Sequence, residues 1–177
     1  MKVHQSSSRL PATSGKPTKS KRRDRWPFKA ETCSPLTWWR QLPPDAFGEP
    51  ECLQLLNVIG GIDVLRGGAD LAAALRGDAT AAIDAAVHLI PVEEITLPVD
   101  ITMTALVCAV LDDNASAALV MAQVIGLTCL GHEREVELAA SWLAYGRRCS
   151  AEPDKFGDAE AVLMAAFEET RRKGSGR

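Results

Sequence analysis

The chain has little with which to do chemistry. Its 177 residues include three histidines (His4, His88 and His132) and one tyrosine, and aromatics make up only 5%. No G-x-S-x-G elbow, G-x-G-x-x-G turn or Gly-Lys-Ser/Thr phosphate loop is present, so three common routes to nucleophilic or nucleotide chemistry are missing. The five cysteines (Cys33, Cys52, Cys108, Cys129 and Cys149) are odd in number, widely spaced and free of C-x-x-C. That spacing argues against a disulfide framework or a zinc site and for a reducing, cytoplasmic compartment. Long apolar runs are also lacking. ITMTALVCAVL is eleven residues long and stops at Asp112-Asp113, while ASAALVMAQVIGLTCLG is seventeen and contains Gln123. Spanning a bilayer takes roughly twenty apolar residues, so both are expected to be buried helices, with no membrane partner. The opening MKVHQSSSRLPATSG has no apolar h-region. It loosely resembles a transit peptide, but its Pro and Gly oppose an amphipathic helix.

What is present is aliphatic residues and an uneven charge. Hydrophobic residues make up 46%, enough for a core built mostly of Ala, Leu, Val and Ile, a composition that suits packed helices. The net charge of −3 divides sharply: residues 1–40 hold ten Lys/Arg and two acids, and residues 41–177 hold ten Lys/Arg and twenty-one acids. A basic tail and an acidic body are expected. The alanine-rich usage resembles that of bacteria with GC-rich genomes.

Three segments follow from composition. Residues 1–25, rich in Ser, Pro, Lys and Arg, have too little to bury and read as a disordered basic tail. Residues 26–49 form a Pro/Trp-rich arm. Trp26, Phe28, Trp38, Trp39 and Phe47 cluster there, Pro27, Pro35, Pro43, Pro44 and Pro50 forbid a long helix, and the aromatics are expected to pack onto the body. Residues 50–177 read as a helical domain. Apolar residues at 79, 82, 83, 86, 87 and 90 form one helical stripe after Asp78 as N-cap, ending at Pro91. Asn114 caps a second helix over 115–130, apolar nearly all round and therefore expected to be the most buried. A third runs through HEREVELAASWLAYGRR, acid-first and base-last, and a fourth from Asp158, with shorter helices over 50–59, 69–76 and 99–111. VEEITLPV could form a short extended piece. The fold class is all-α: an irregular helical bundle or a short array of helical hairpins.

LRGDATAAIDAAVHL from Leu75 aligns without a gap on LDDNASAALVMAQVI from Leu111, with five identities, and a third copy of cap and stripe begins at Asp158. A period in the thirties suits tandem helical hairpins. MAQVIGLTCLGHEREVELAASWLAYG, with Ile125-Gly126 and a turn at Gly131, resembles one tetratricopeptide-type hairpin. Leu138 stands where that family has a small residue, and no Pro closes the unit. Four of the five identities are Ala, so an irregular bundle with a shared capping logic is the preferred reading.

Candidate chemistry is thin. His132-Glu133 lacks the second His that zinc proteases carry four residues after the first; Val136 stands there. Glu133 and Glu137 fit helix-dipole complementarity instead. Asp84 and His88, four apart, could place a carboxylate behind an imidazole for base catalysis, which would make a small hydrolase-like enzyme. An exposed Asp–His pair is the simpler account. Glu93-Glu94 and Asp112-Asp113 read as solvated turns, and Gly60-Gly61 and Gly67-Gly68 as helix ends. The strongest signal is KPTKSKRRDRWPFK, in which residues 16–29 carry seven Lys/Arg and one acid. Lys16, Lys19, Lys21, Arg22, Arg23 and Arg25 could neutralise phosphates with release of counterions, and Trp26 could stack on a base. The sequence thus points to a non-enzymatic helical adaptor or regulator that binds a protein partner, without cofactor or metal. The alternative is a nucleic-acid-binding regulatory factor using the basic tail.

Overall fold

The computed structural model describes residues 26–62 and 68–174. The fold is all-α, with no strand among the described residues. Three 3-10 turns, Ala30–Thr32, Pro35–Arg40 and Pro44–Ala46, precede seven helices: α1 Glu49–Gly60, α2 Gly68–Leu75, α3 Ala79–Val87, α4 Leu97–Leu111, α5 Ala115–Leu127, α6 Glu135–Cys149 and α7 Pro153–Gly174. The basic residues 1–25 lie outside the described residues.

Two helices form the interior. α4 packs against the Pro35–Arg40 turn, α1, α2, α3 and α5, and α5 packs against α3, α6 and α7. The more buried of the two is α4, with ten of fifteen residues buried against six of thirteen in α5. The expectation that the 115–130 helix is the most buried is corrected accordingly. α5 shares its environment with fewer elements, whereas α4 also receives the arm.

The segment before α1 belongs to the same core. Trp38, Trp39 and Leu42 are fully buried. Prolines open the turns at Pro35 and Pro44, where a missing N–H costs nothing. Phe47 meets Trp38 edge-on at 5.9 Å and lies tilted against Trp142 of α6 at 5.8 Å, so aromatic contacts stitch the arm to the bundle.

The 36-residue likeness is a shared connector. Gly77 (φ 94°) and Asp113 (φ 63°) both sit in the left-handed region. At each site the next residue's N–H reaches back five residues, Asp78 to the Ala73 carbonyl and Asn114 to that of Ala109. The left-handed residues themselves donate to Ala74 and Val110. This is a Schellman ending, and its last residue doubles as the next N-cap. Asp78 Oδ1 accepts from Ala81 N and Asn114 Oδ1 from Ala117 N. The proposed third copy is different. Asp158 lies inside α7, which starts five residues earlier at Pro153, after Ser150 Oγ accepts the Glu152 N–H.

Other boundaries also move. α3 stops at Val87 rather than at Pro91, because Leu89 and Ile90 donate to Ala86 and Val87 in a tightened last turn. α5 ends at Leu127, and α6 begins at Glu135 and leaves Glu133 outside it. VEEITLPV holds no strand; its last three residues lie at the start of α4 (Leu97–Val99).

Two glycines seat α7. A Cβ on Gly126 of α5 would lie 2.3 Å from the Phe167 ring, and one on Gly146 of α6 would lie 2.6 Å from Phe156 and from Ala118. Phe156 thus packs near the start of α5 and Phe167 near its end. α7 therefore runs in the same direction as α5, with α6 antiparallel to both.

Candidate functional site

The most elaborate polar arrangement lies where the arm meets α4. Asp100 and Thr104, four residues apart, share the face of α4 that receives the arm. Asp100 Oδ1 accepts the Trp39 indole N–H at 2.8 Å and the Arg40 Nε–H at 3.2 Å, while Oδ2 faces Arg40 Nη2 at 3.4 Å. The Thr104 hydroxyl is shared between the Asp100 carbonyl at 2.6 Å and the Leu36 carbonyl at 3.3 Å. A buried carboxylate is stable only when its charge and lone pairs are met, and the arm supplies both.

His132, in the α5–α6 turn, holds the arm from the other side. Arg134 N–H donates to its Nδ1 at 3.2 Å, which leaves the proton on Nε2 to bond the Arg40 carbonyl at 2.8 Å. Its ring lies 5.2 Å from that of Phe28. Glu135 Oε1 closes the turn by accepting from Leu130 N and Gly131 N. The His132-Glu133 pair is therefore a structural joint, with an exposed Glu133 beside it.

Of the seven tail-associated residues, Lys16, Lys19, Lys21, Arg22, Arg23 and Arg25 lie outside the described residues. Trp26 is described and half-buried. Its indole N–H donates to the Gln41 carbonyl at 2.6 Å, and the Arg134 guanidinium lies 5.5 Å from its ring centroid. The indole is thus an anchor of the arm, with a cation already against its ring.

A small hollow of about 80 Å³ opens between α1 and α4, lined by Cys52, Leu55, Leu56, Cys108, Leu111 and Asp112. Burial pushes the Cys108 thiol up to about 12, with Asp112 and Cys52 adding to the effect. Burial raises Cys52 as well, helped by Glu51 and Asp112. These thiols resist ionisation and so are poor nucleophiles. Beside the hollow, Leu53 and Leu56 on the outer side of α1 are 61% and 59% exposed.

At the α4–α5 connector, Tyr145 O–H and Cys149 S–H both donate to Asp113 Oδ1, at 3.2 Å and 3.3 Å. Burial first, then Cys149 and Asp113, lift Tyr145 to about 12. The cluster ties the turn to the last turns of α6.

The Asp84–His88 pair is not arranged as a base and its orienting carboxylate. Both residues are exposed, and His88 Nδ1 bonds the Asp84 backbone carbonyl at 2.7 Å. Among the described residues no group of three or more His, Cys, Asp or Glu could hold a metal ion, and no helix is long and apolar enough to cross a membrane. Asp100 was missed in the sequence. Its signal is the single acid inside the buried run Leu97–Leu111, which demands a partner, and the partner is Trp39-Arg40.

Compared with protein-family models, curated proteins and solved structures, the chain has no significant match to any of them.

Proposed function

We propose that the chain is a non-enzymatic helical adaptor or regulator that binds a protein partner through the outer face of α1. The observation that carries this reading is the exposed Leu53–Leu56 pair. Spaced three apart, the two side chains share a face, and Leu56 also lines the α1–α4 hollow. A single exposed Leu is ordinary, whereas adjacent ones beside an apolar hollow form a docking surface. The first turn of α1 carries Glu49 and Glu51, Asp112 lines the hollow, and α1 contains no Lys or Arg. The fitting partner is a segment with apolar side chains next to Lys or Arg, such as one face of an amphipathic helix. The exposed, backbone-bonded His88 gives the hydrolase-like reading no support.

Affinity capture with the full chain and with a Leu53→Glu, Leu56→Glu variant tests the proposal. The expected result is a specific protein held by the parent and lost by the variant, with far-UV circular dichroism unchanged. Capture that ignores both substitutions, or no specific protein at all, overturns it.

A further inference from the structure

The geometry points to a second binding site, a groove between the arm and the first turn of α1 that receives the arginine side chain of a peptide. It is distinct from the Leu53–Leu56 face, because Glu51 in the groove and Leu56 project about 140° apart around α1. Neither proposal depends on the other.

The groove has a volume of about 390 Å³. Trp26 and Phe28 form its aromatic wall, and Glu31 and Glu51 supply carboxylates. The α5–α6 turn holds the two rings in place. The Arg134 guanidinium lies 5.5 Å from the Trp26 ring centroid, and the His132 ring lies 5.2 Å from that of Phe28. Neither Arg134 nor His132 lines the groove, so each ring keeps another side toward it. The Trp26 indole is fixed further by its N–H on the Gln41 carbonyl. A wall already immobilised loses little freedom when a ligand arrives.

The carboxylates are available to different degrees. Glu31, in the Ala30–Thr32 turn, is exposed and has no ion-pair or hydrogen-bond partner for its carboxylate among the described residues. Glu51 commits Oε2 to the Gly48 N–H at 2.9 Å. Lys29 also lines the groove, exposed and without an ion pair among the described residues. Two carboxylates against one ammonium leave an excess of negative charge, which favours a cation.

The choice of arginine follows from shape and hydration. A guanidinium is flat and weakly hydrated, so it stacks on an aromatic ring while its N–H fork meets a carboxylate. An ammonium is compact and strongly hydrated, and gains less from the same wall. Arg134 on Trp26 is an instance of this pairing within the chain, and Glu137 meets its charge, which limits repulsion of a second cation. The groove falls in the range of roughly 300–1,000 Å³ that small-ligand sites occupy. It has room for the guanidinium, its aliphatic stem and the adjoining backbone, so a peptide arginine fills it better than a small free guanidinium.

The test uses tryptophan fluorescence of the full chain. Of the four tryptophans, Trp38, Trp39 and Trp142 are fully buried, so Trp26 is the one open to a neutral quencher. Protection from acrylamide at constant ionic strength therefore reads occupancy of the groove. The peptide acetyl-Gly-Arg-Gly-amide is expected to protect with a Kd of about 1–10 mM. Acetyl-Gly-Lys-Gly-amide and methylguanidinium should each bind at least about threefold more weakly. Glu31→Gln should weaken the arginine peptide about threefold, and Lys29→Gln should strengthen it about twofold. Both positions are exposed, so neither change threatens folding. Asp84→Asn, an exposed acid on α3, should leave affinity within about 1.3-fold. Three results overturn the inference: no protection at about 50 mM arginine peptide, Glu31→Gln or Lys29→Gln behaving like Asp84→Asn, or the lysine peptide or methylguanidinium binding as tightly as the arginine peptide.

Discussion

Asp100 carries a charge inside the apolar helix α4 and is held by Trp39 N–H and Arg40. Its replacement by Ala leaves an indole N–H and a guanidinium facing a gap. Removing one partner of such a pair costs about 3–5 kcal/mol when fully buried, and about 2–4 here, since the Arg40 side chain is 25% exposed. Asp100→Asn keeps an acceptor for Trp39 and should cost less. Denaturant unfolding of the two variants measures both values; equal midpoints for parent and Asp100→Ala would refute the role assigned to this carboxylate. Asp100 was legible only in part. An isolated acid in an apolar stretch asks for a partner, but nothing in sequence spacing names one sixty residues away.

Helix ends were the more legible part of the elements, and helix seats the less. Asp78 and Asn114 could be read as caps because capping depends on one side chain and the N–H groups three residues on. The left-handed residue before each cap follows from the same local geometry. At Gly77 nothing lies within 4 Å of an added Cβ, so Gly77→Ala should cost only the conformational penalty, about 1 kcal/mol. Gly126 is the contrasting case, since its backbone is ordinary and the Phe167 ring occupies the place a Cβ would take. Gly126→Ala should cost more, about 1–3 kcal/mol, and Phe167→Leu should recover part of the loss when combined with it. A double-mutant cycle by thermal unfolding checks this; additive effects would mean that the two residues do not compete for space. Asp158 misled because a capping residue followed by an apolar stripe looks the same inside a helix as at its start. Pro153 settles the difference by fitting the first turn and no later one.

Across the whole molecule, protonation of two partly buried groups links stability to alkaline pH. Cys108 and Tyr145 both rise to about 12 in the folded chain, from 9.0 and 10.0. Above pH 9 the unfolded chain sheds protons that the folded chain keeps, so unfolding releases them and stability must fall. The contribution is present in full below pH 9, declines through the 9–12 window, and is gone above it. Cys108→Ala and Tyr145→Phe should each flatten the decline of the unfolding midpoint over that window, and parallel curves for parent and variants would contradict the assignment. The all-α class was legible throughout from helical periodicity. The place of the arm was less so, because prolines signal where a helix cannot form and say little about which groove the aromatics enter.

The central claim is that residues 26–48 are part of the core that α4 organises, with Trp38, Trp39 and Leu42 fully buried in it. Equilibrium unfolding of a chain beginning at Trp26 and of one beginning at Glu49 tests it most directly. The shorter chain is expected to lose more than about 5 kcal/mol, or its cooperative transition altogether, given the burial of two tryptophans and a leucine. Coincident, equally cooperative transitions for the two chains would contradict the account.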